Sequence, residues 1–131
     1  MSRALNDLDV RFRPLAVELL AQAAEAGIPM MIVETRRTAA QHAANLANGV
    51  SWIVHSKHLD GLAIDVCPYT QFDLYGPDKL EWQASAPVWE RVGAIGKRLG
   101  LRWGGDWQQQ DMGHFEYVPL SAVESPPGVL G

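Results

Sequence analysis

The stretch Ser56-Lys57-His58-Leu59-Asp60-Gly61-Leu62-Ala63-Ile64-Asp65-Val66-Cys67 sets a polar loop directly against a strand. Leu62 to Cys67 has strand character and is expected to end at Pro68, which cannot donate to a sheet ladder. Alternation puts Leu62, Ile64 and Val66 on one face and Ala63, Asp65 and Cys67 on the other. Gly61 lets the chain turn back, so that His58 from the loop and Asp65 from the strand can converge. A buried carboxylate without a partner is costly, and a nearby cation is the simpler account of Asp65.

A second polar patch runs from Trp103-Gly104-Gly105-Asp106 to Asp111-Met112-Gly113-His114-Phe115-Glu116. His114 to Val118 reads as a short strand in which His114 and Glu116 alternate with Phe115 and Tyr117. From a neighbouring strand His114 could complete a three-ligand set with His58 and Asp65. Two imidazole nitrogens and one carboxylate oxygen suit Zn²⁺, one ion per chain, and leave a fourth position open for water. Asp111, three residues before His114, is not needed as a ligand and could take a proton from that water. Spacing by itself leaves plainer readings open: a histidine seven residues before an aspartate occurs by chance, neither zincin helix motif is present, and Asp111 could simply cap a turn. Asp106 is expected to support the site by accepting the free N–H of a ligand imidazole. Ser56 reads as a hydrogen bonder and not a nucleophile, Trp107 could flank substrate, and His42 and His55 are expected in solvent. The five tryptophans are read mostly as core, and Cys67 as a small buried hydrophobe.

Outward from these patches the chain reads as helices and short strands. Pro14 to Gly27 is an amphipathic helix with Leu15, Leu19, Leu20, Ala23 and Ala24 on one face. Met30 to Val33 is a short buried strand leading into Glu34-Thr35-Arg36-Arg37. Thr38 and Gln41 form a capping-box pattern that opens a short surface helix closed by Asn48 and Gly49. Tyr69 to Ser85 lacks a clean period and is read as loop. Pro87 to Leu99 is a second amphipathic helix, with Val88, Val92, Ile95 and Leu99 at helical spacing and Gly100 as its stop. Leu101 to Trp103 is a short strand, and the tail after Pro119 is expected to be loosely held.

Composition bounds the rest. At 131 residues one domain is expected, with its core over about residues 14–118. A formal charge of −4 gives no general drive toward nucleic acid or anionic membrane. One cysteine cannot form an internal disulfide, so the fold is expected to hold by packing. No apolar stretch approaches the length of a membrane span, and the N-terminal residues have no apolar h-region, so neither membrane insertion nor a signal peptide is expected.

The string S-x-H-x-x-G-x-A-x-D from Ser56 to Asp65, followed by D-x-x-H-F-E from Asp111 to Glu116, resembles the signature of the M15 peptidases. That family includes D-alanyl-D-alanine carboxypeptidases and dipeptidases and the L-alanyl-D-glutamate endopeptidases of phage lysins. Upstream, Glu34 to Gln41 is similar to the family's S-x-R-S-x-x-x-Q segment, so the likeness runs over roughly residues 14–118. The resemblance implies zinc held by His58, Asp65 and His114, with Asp111 as general base; aspartate at that position favours the lysin branch. It maps the family arginine to Arg36, for an oxyanion or a substrate carboxylate, and Gln41 to the end of the same segment. It further implies an α+β fold of the Hedgehog/DD-peptidase type: a small, mainly antiparallel sheet with the metal on one face and the helices from Pro14 and Pro87 on the other. The implied reaction is hydrolysis in the peptidoglycan stem peptide, at the L-alanyl-D-glutamate bond, with a D,D-carboxypeptidase or dipeptidase as the alternative and a zinc-stabilised wall-binding module as a second. A monomeric phage or prophage lysin, made in the host cytoplasm and released by a holin, is the expected setting. Gly113 departs from the proline common before the last histidine, which should loosen that loop, and Gln108 to Gln110 match nothing assignable.

Overall fold

The computed structural model describes residues 2–49, 56–70 and 79–119. Trp52, His55 and the tail from residue 120 lie outside them. Three helices and five strands appear in the order α1 (Arg13–Glu25), β1 (Met30–Glu34), α2 (Ala39–Ala47), β2 (Ala63–Thr70), β3 (Lys79–Leu80), α3 (Val88–Arg98), β4 (Arg102–Trp103) and β5 (His114–Glu116). The architecture is the expected α+β sheet with flanking helices. All pairings are antiparallel, in the order β1-β2-β5-β4, with β3 against the far end of β2.

β2 extends beyond the expected stop at Pro68 and continues to Thr70. A proline lacks only the donor, and here its carbonyl still accepts from the Glu81 N–H at 2.8 Å while the Tyr69 N–H reaches Pro29 O at 3.1 Å. Part of the stretch read as loop is therefore strand: Tyr69 pairs with Leu80 and Thr70 with Lys79.

The helices begin and end where the sequence chemistry directs. Pro14 occupies the first turn of α1, and Gly27 follows its end at φ 81°. Thr38 caps α2 by accepting from the Gln41 N–H at 3.1 Å. The reciprocal half of the capping box is absent, because the Gln41 side chain donates to Asn45 instead.

α1 and α3 pack against one face of the sheet. Leu19 and Ala23 of α1, Trp89 and Val92 of α3, and Ile64, Val66, Trp103 and Phe115 of the strands are almost wholly buried together. Gly93 and Gly96 bring α3 very close to this face: a methyl group on Gly93 would overlap the Trp103 ring, and one on Gly96 the Phe115 ring. Of the tryptophans read as core, Trp82 is an exception at 55% exposed.

Because side chains alternate along a strand, the residues beside that core point the other way. Ile64 and Phe115 are cross-strand partners on the helix side, and the next pair in the register is Asp65 with His114. The opposite face of the same two strands therefore carries the polar residues.

Candidate metal centre

Three elements converge on that face. β2 brings Asp65 and β5 brings His114, while a single 3₁₀ turn at Lys57–Asp60 brings His58. Ser56, itself buried, opens the turn by accepting from the His58 N–H at 3.2 Å. Gly61 closes it at φ 70°, and its Cα is packed so tightly on the backbone of Asp7 to Asp9 that a side chain would not fit.

The ring nitrogens are sorted by their partners. His58 Nδ1 lies 2.7 Å from Thr35 O. A carbonyl can only accept, so Nδ1 carries the proton and the Nε2 lone pair is free. That Nε2 is fully buried, makes no hydrogen bond, and faces Asp65 Oδ2 at 3.2 Å. His114 Nε2 meets Glu116 Oε1 at 2.8 Å, leaving Nδ1 directed at Asp65 Oδ1 at 3.0 Å. One donor atom each from His58, Asp65 and His114 lie within 4.8 Å of one another.

Electrostatics reinforce the grouping. Burial works against a charged His114, yet hydrogen bonds to Asp65 and Glu116 overcome it and raise the imidazole to about 10. Burial would likewise raise Asp65, but the neighbouring imidazoles of His58 and His114 hold it well below the ordinary carboxylate range. A half-buried carboxylate between two buried imidazoles, one with an orphaned lone pair, fits a divalent cation.

Asp111 stands at the edge of this group. Its Oδ2 is 3.9 Å from His114 Nδ1 and its side chain still reaches solvent. Burial pushes its carboxyl above the ordinary value, with His114 opposing and the Asp65 charge adding to the shift. The loop that delivers it is braced: Asp111 N–H donates to Gly104 O at 2.9 Å, and Gly104 has no room for a side chain beside Asp111 and His114. Gly113 does not loosen this loop, because it sits against the Val66 carbonyl and accepts from the Val66 N–H at 2.9 Å. Gln110 donates to Gly105 O at 3.2 Å, and Gln108 and Gln109 are exposed.

The other expected residues divide. Trp107 is buried with its ring 4.9 Å from the His114 ring, so it packs on a candidate ligand. Asp106 is not bonded to an imidazole: it is exposed and paired with Lys97 at 3.1 Å. Gln41 is exposed on α2 and faces Asn45. Arg36 is also exposed, its carbonyl accepting from Ser2 N–H, whereas the neighbouring Arg37 turns inward. His42, expected in solvent, is buried, with its Nδ1 3.1 Å from Arg37 Nη1.

A β-bulge causes this exchange of arginines. Ile32 pairs with Val66 but Glu34 pairs with Asp65, so Val33 is an extra residue in β1. Glu34 is buried and grips Arg37 through both carboxylate oxygens, and its Oε1 lies 3.7 Å from His58 Nδ1. Arg37 is close enough to influence Asp111. The sequence held a signal for this register. Moving the S-x-R-S-x-x-x-Q pattern by one residue aligns Thr35, Arg37 and Thr38 with its serine, arginine and serine, at the cost of His42 in place of the glutamine. Glu116, Lys57 and the Thr35 carbonyl were also missed as supports of the site; for Glu116 the signal was its alternation with His114.

Known proteins resemble this chain in sequence and in fold. The L-alanyl-D-glutamate peptidase of Listeria phage A118 is 35% identical over 104 residues, covering 79% of this chain and 35% of that protein. The L-alanyl-D-glutamate peptidase of Escherichia phage T5 is 39% identical over 93 residues, covering 65% of this chain and 64% of that protein. The chain thus matches about a third of one phage relative and just under two thirds of the other. The crystal structure of the Serratia marcescens L-Ala D-Glu endopeptidase ChiX superposes with a TM-score of 0.64 at 25% identity, covering 87% of this chain and 83% of that one. The M15 family model described as D-alanyl-D-alanine carboxypeptidase matches residues 49–117, more than half of the 131 and inclusive of His58, Asp65, Asp111 and His114. The chain belongs to the M15 peptidase family.

Proposed function

We propose that this chain is a zinc-dependent peptidase that hydrolyses the L-alanyl-D-glutamate bond of the peptidoglycan stem peptide. The observation that carries the reading is the convergence of His58 Nε2, His114 Nδ1 and the Asp65 carboxylate, with Asp111 beside them. Two nitrogens and one oxygen are a donor set for zinc with an open coordination position. Bound zinc would supply Lewis acidity toward water and the scissile carbonyl.

The protein's own groups do the rest. Asp111 is the acceptor for the proton lost by the attacking water and its donor to the leaving amine; a carboxyl raised by burial suits both transfers. Arg37, held by Glu34 and His42, is the fixed cation for the negative charge that develops on the carbonyl oxygen. This role passes to Arg37 from the exposed Arg36. The Thr35 carbonyl and the Ser56 cap orient His58, and Trp107 packs against His114.

Both phage relatives and the Serratia enzyme are named for the L-alanyl-D-glutamate bond, which supports that choice. The family description supports a second reading, cleavage of D-alanyl-D-alanine. Mass analysis of digested muropeptides separates the two, since new N-terminal D-glutamate marks the first and released D-alanine the second. A purely structural zinc would have no use for Asp111. No helix among the described residues is long and apolar enough to cross a membrane. By analogy with the phage relatives, we read the chain as made in the host cytoplasm and released to the wall through a holin lesion. We read it as a monomer that uses one zinc per chain.

A further inference from the structure

We infer that Glu116 is the positioning residue of the metal centre: it fixes which nitrogen of His114 binds the ion and supplies the charge that strengthens that nitrogen as a donor. The inference rests on the zinc reading above and extends it to a residue two positions beyond the last ligand.

Glu116 is 0% exposed, an expensive place for a carboxylate unless its charge is answered. Two cations flank it. Lys57 Nζ lies 3.5 Å and Arg102 Nη1 3.7 Å from Oε2, neither in hydrogen-bonding geometry. Lys57 comes from the turn that carries His58 and also donates to Tyr117 O at 3.0 Å; Arg102 comes from β4, where it is the cross-strand partner of Glu116. These two cations offset the negative charge of the buried carboxylate. Oε1 instead accepts a hydrogen bond from His114 Nε2 at 2.8 Å.

The geometry follows from strand alternation. His114 and Glu116 are two residues apart on β5 and share a face, so the carboxylate can reach only the nitrogen of the ring that lies away from Asp65. An anion accepting from Nε2–H holds the proton there and commits Nδ1 to the ion. It also raises the basicity of that nitrogen, as carboxylate–histidine–zinc arrangements do. His58 is oriented by the neutral carbonyl of Thr35, so the two imidazoles are supported unequally. If Glu116 merely filled the core, Lys57 and Arg102 would suffice and the imidazole bond would be incidental.

The test uses zinc and the whole chain, without substrate. In zinc-loaded wild type, long-range ¹⁵N–¹H spectra should show His114 protonated at Nε2 and metal-bound at Nδ1. Competition with a chromophoric chelator should show Glu116→Gln binding zinc about 10- to 100-fold more weakly, because the amide oxygen still accepts but carries no charge. The tautomer should persist in that variant. Metal bound at Nε2 in the wild type would overturn the inference, and this measurement needs no variant to fold. Equal zinc affinity for wild type and Glu116→Gln would also overturn it, including the case where the metal-free variant only melts at a lower temperature, since that describes a structural carboxylate. A wild-type chain that takes up no zinc overturns the zinc reading as well, which separates the two failures.

Discussion

Ile64 and Asp65 are adjacent in β2, and their partners Phe115 and His114 are adjacent in β5, yet the two pairs face opposite environments. On one side α1 and α3 press Ile64 and Phe115 into a core without charged groups, so close that two glycines are needed at the contact. On the other, His58, Asp65, His114, Glu34, Arg37 and Glu116 crowd together with little access to water. The difference shows how a small domain can hold a reactive cluster in place: rigidity comes from the apolar face, and each polar group inherits its position from a strand fixed on the other side. The two faces should then fail in different ways, and substitutions on each can separate them.

The largest effect is expected from removing a ligand on the polar face. His114→Ala should abolish zinc retention and hydrolysis together, measured by elemental analysis and peptidoglycan turnover. It should also erase the rise in melting temperature that zinc gives the wild type, because bound metal stabilises only the folded chain. A variant that keeps one zinc per chain would remove His114 from the ligand set.

Next comes a residue beside the ion but outside that set. Asp111→Asn preserves size and loses the proton acceptor, so turnover should fall on the order of a hundredfold or more while zinc content and melting temperature stay near wild type. Loss of zinc along with activity would make Asp111 a fourth ligand and favour a structural metal.

A smaller and more local contrast lies in the two adjacent arginines. Arg37→Lys should lower turnover about tenfold or more with zinc retained, because an ammonium cannot reproduce the forked contacts to Glu34 and His42. Arg36→Lys, at an exposed position, should leave turnover within about twofold, the usual outcome for a surface change. The reverse pattern of kinetic constants would return the oxyanion role to Arg36.

These arginines also mark how far the sequence could be read. The helices, the four main strands and the convergence of His58, Asp65 and His114 followed from periodicity, Pro and Gly punctuation, and two motifs. The arginine did not, because a one-residue β-bulge at Val33 shifts every side chain after it to the other face. A bulge leaves no mark in local composition; only the alternative alignment of Thr35, Arg37 and Thr38 hinted at it. His42 was misjudged for a related reason: the rest of its helix is exposed or only partly buried, and His42 packs against the shifted Arg37. Glu116 takes the role expected of Asp106, because partner choice depends on which strands become neighbours. β4 sits beside β5 and brings Arg102 to Glu116, while the loop after β4 leaves Asp106 beside Lys97.

A comparably small effect on catalysis, and the sharpest test of the two-faced sheet, is expected from Gly96→Ala. The added methyl group would overlap the Phe115 ring, and Phe115 is the strand neighbour of His114. Overpacking of this kind typically costs about 1–3 kcal/mol, and the better helix propensity of alanine offsets at most about 1 kcal/mol of it. Metal-free Gly96→Ala should therefore melt several degrees lower than wild type. If strain on the helix side is absorbed there, by tilting α3 away from the sheet, zinc affinity and turnover per folded molecule should stay within about threefold of wild type. If the ring instead drags β5, His114 moves with it, and zinc affinity falls in step with the melting temperature. Measuring melting, zinc competition and turnover on one preparation distinguishes these cases. Coupled losses would mean that the core sets the geometry of the metal site directly, and that the apolar and polar faces cannot be altered one at a time.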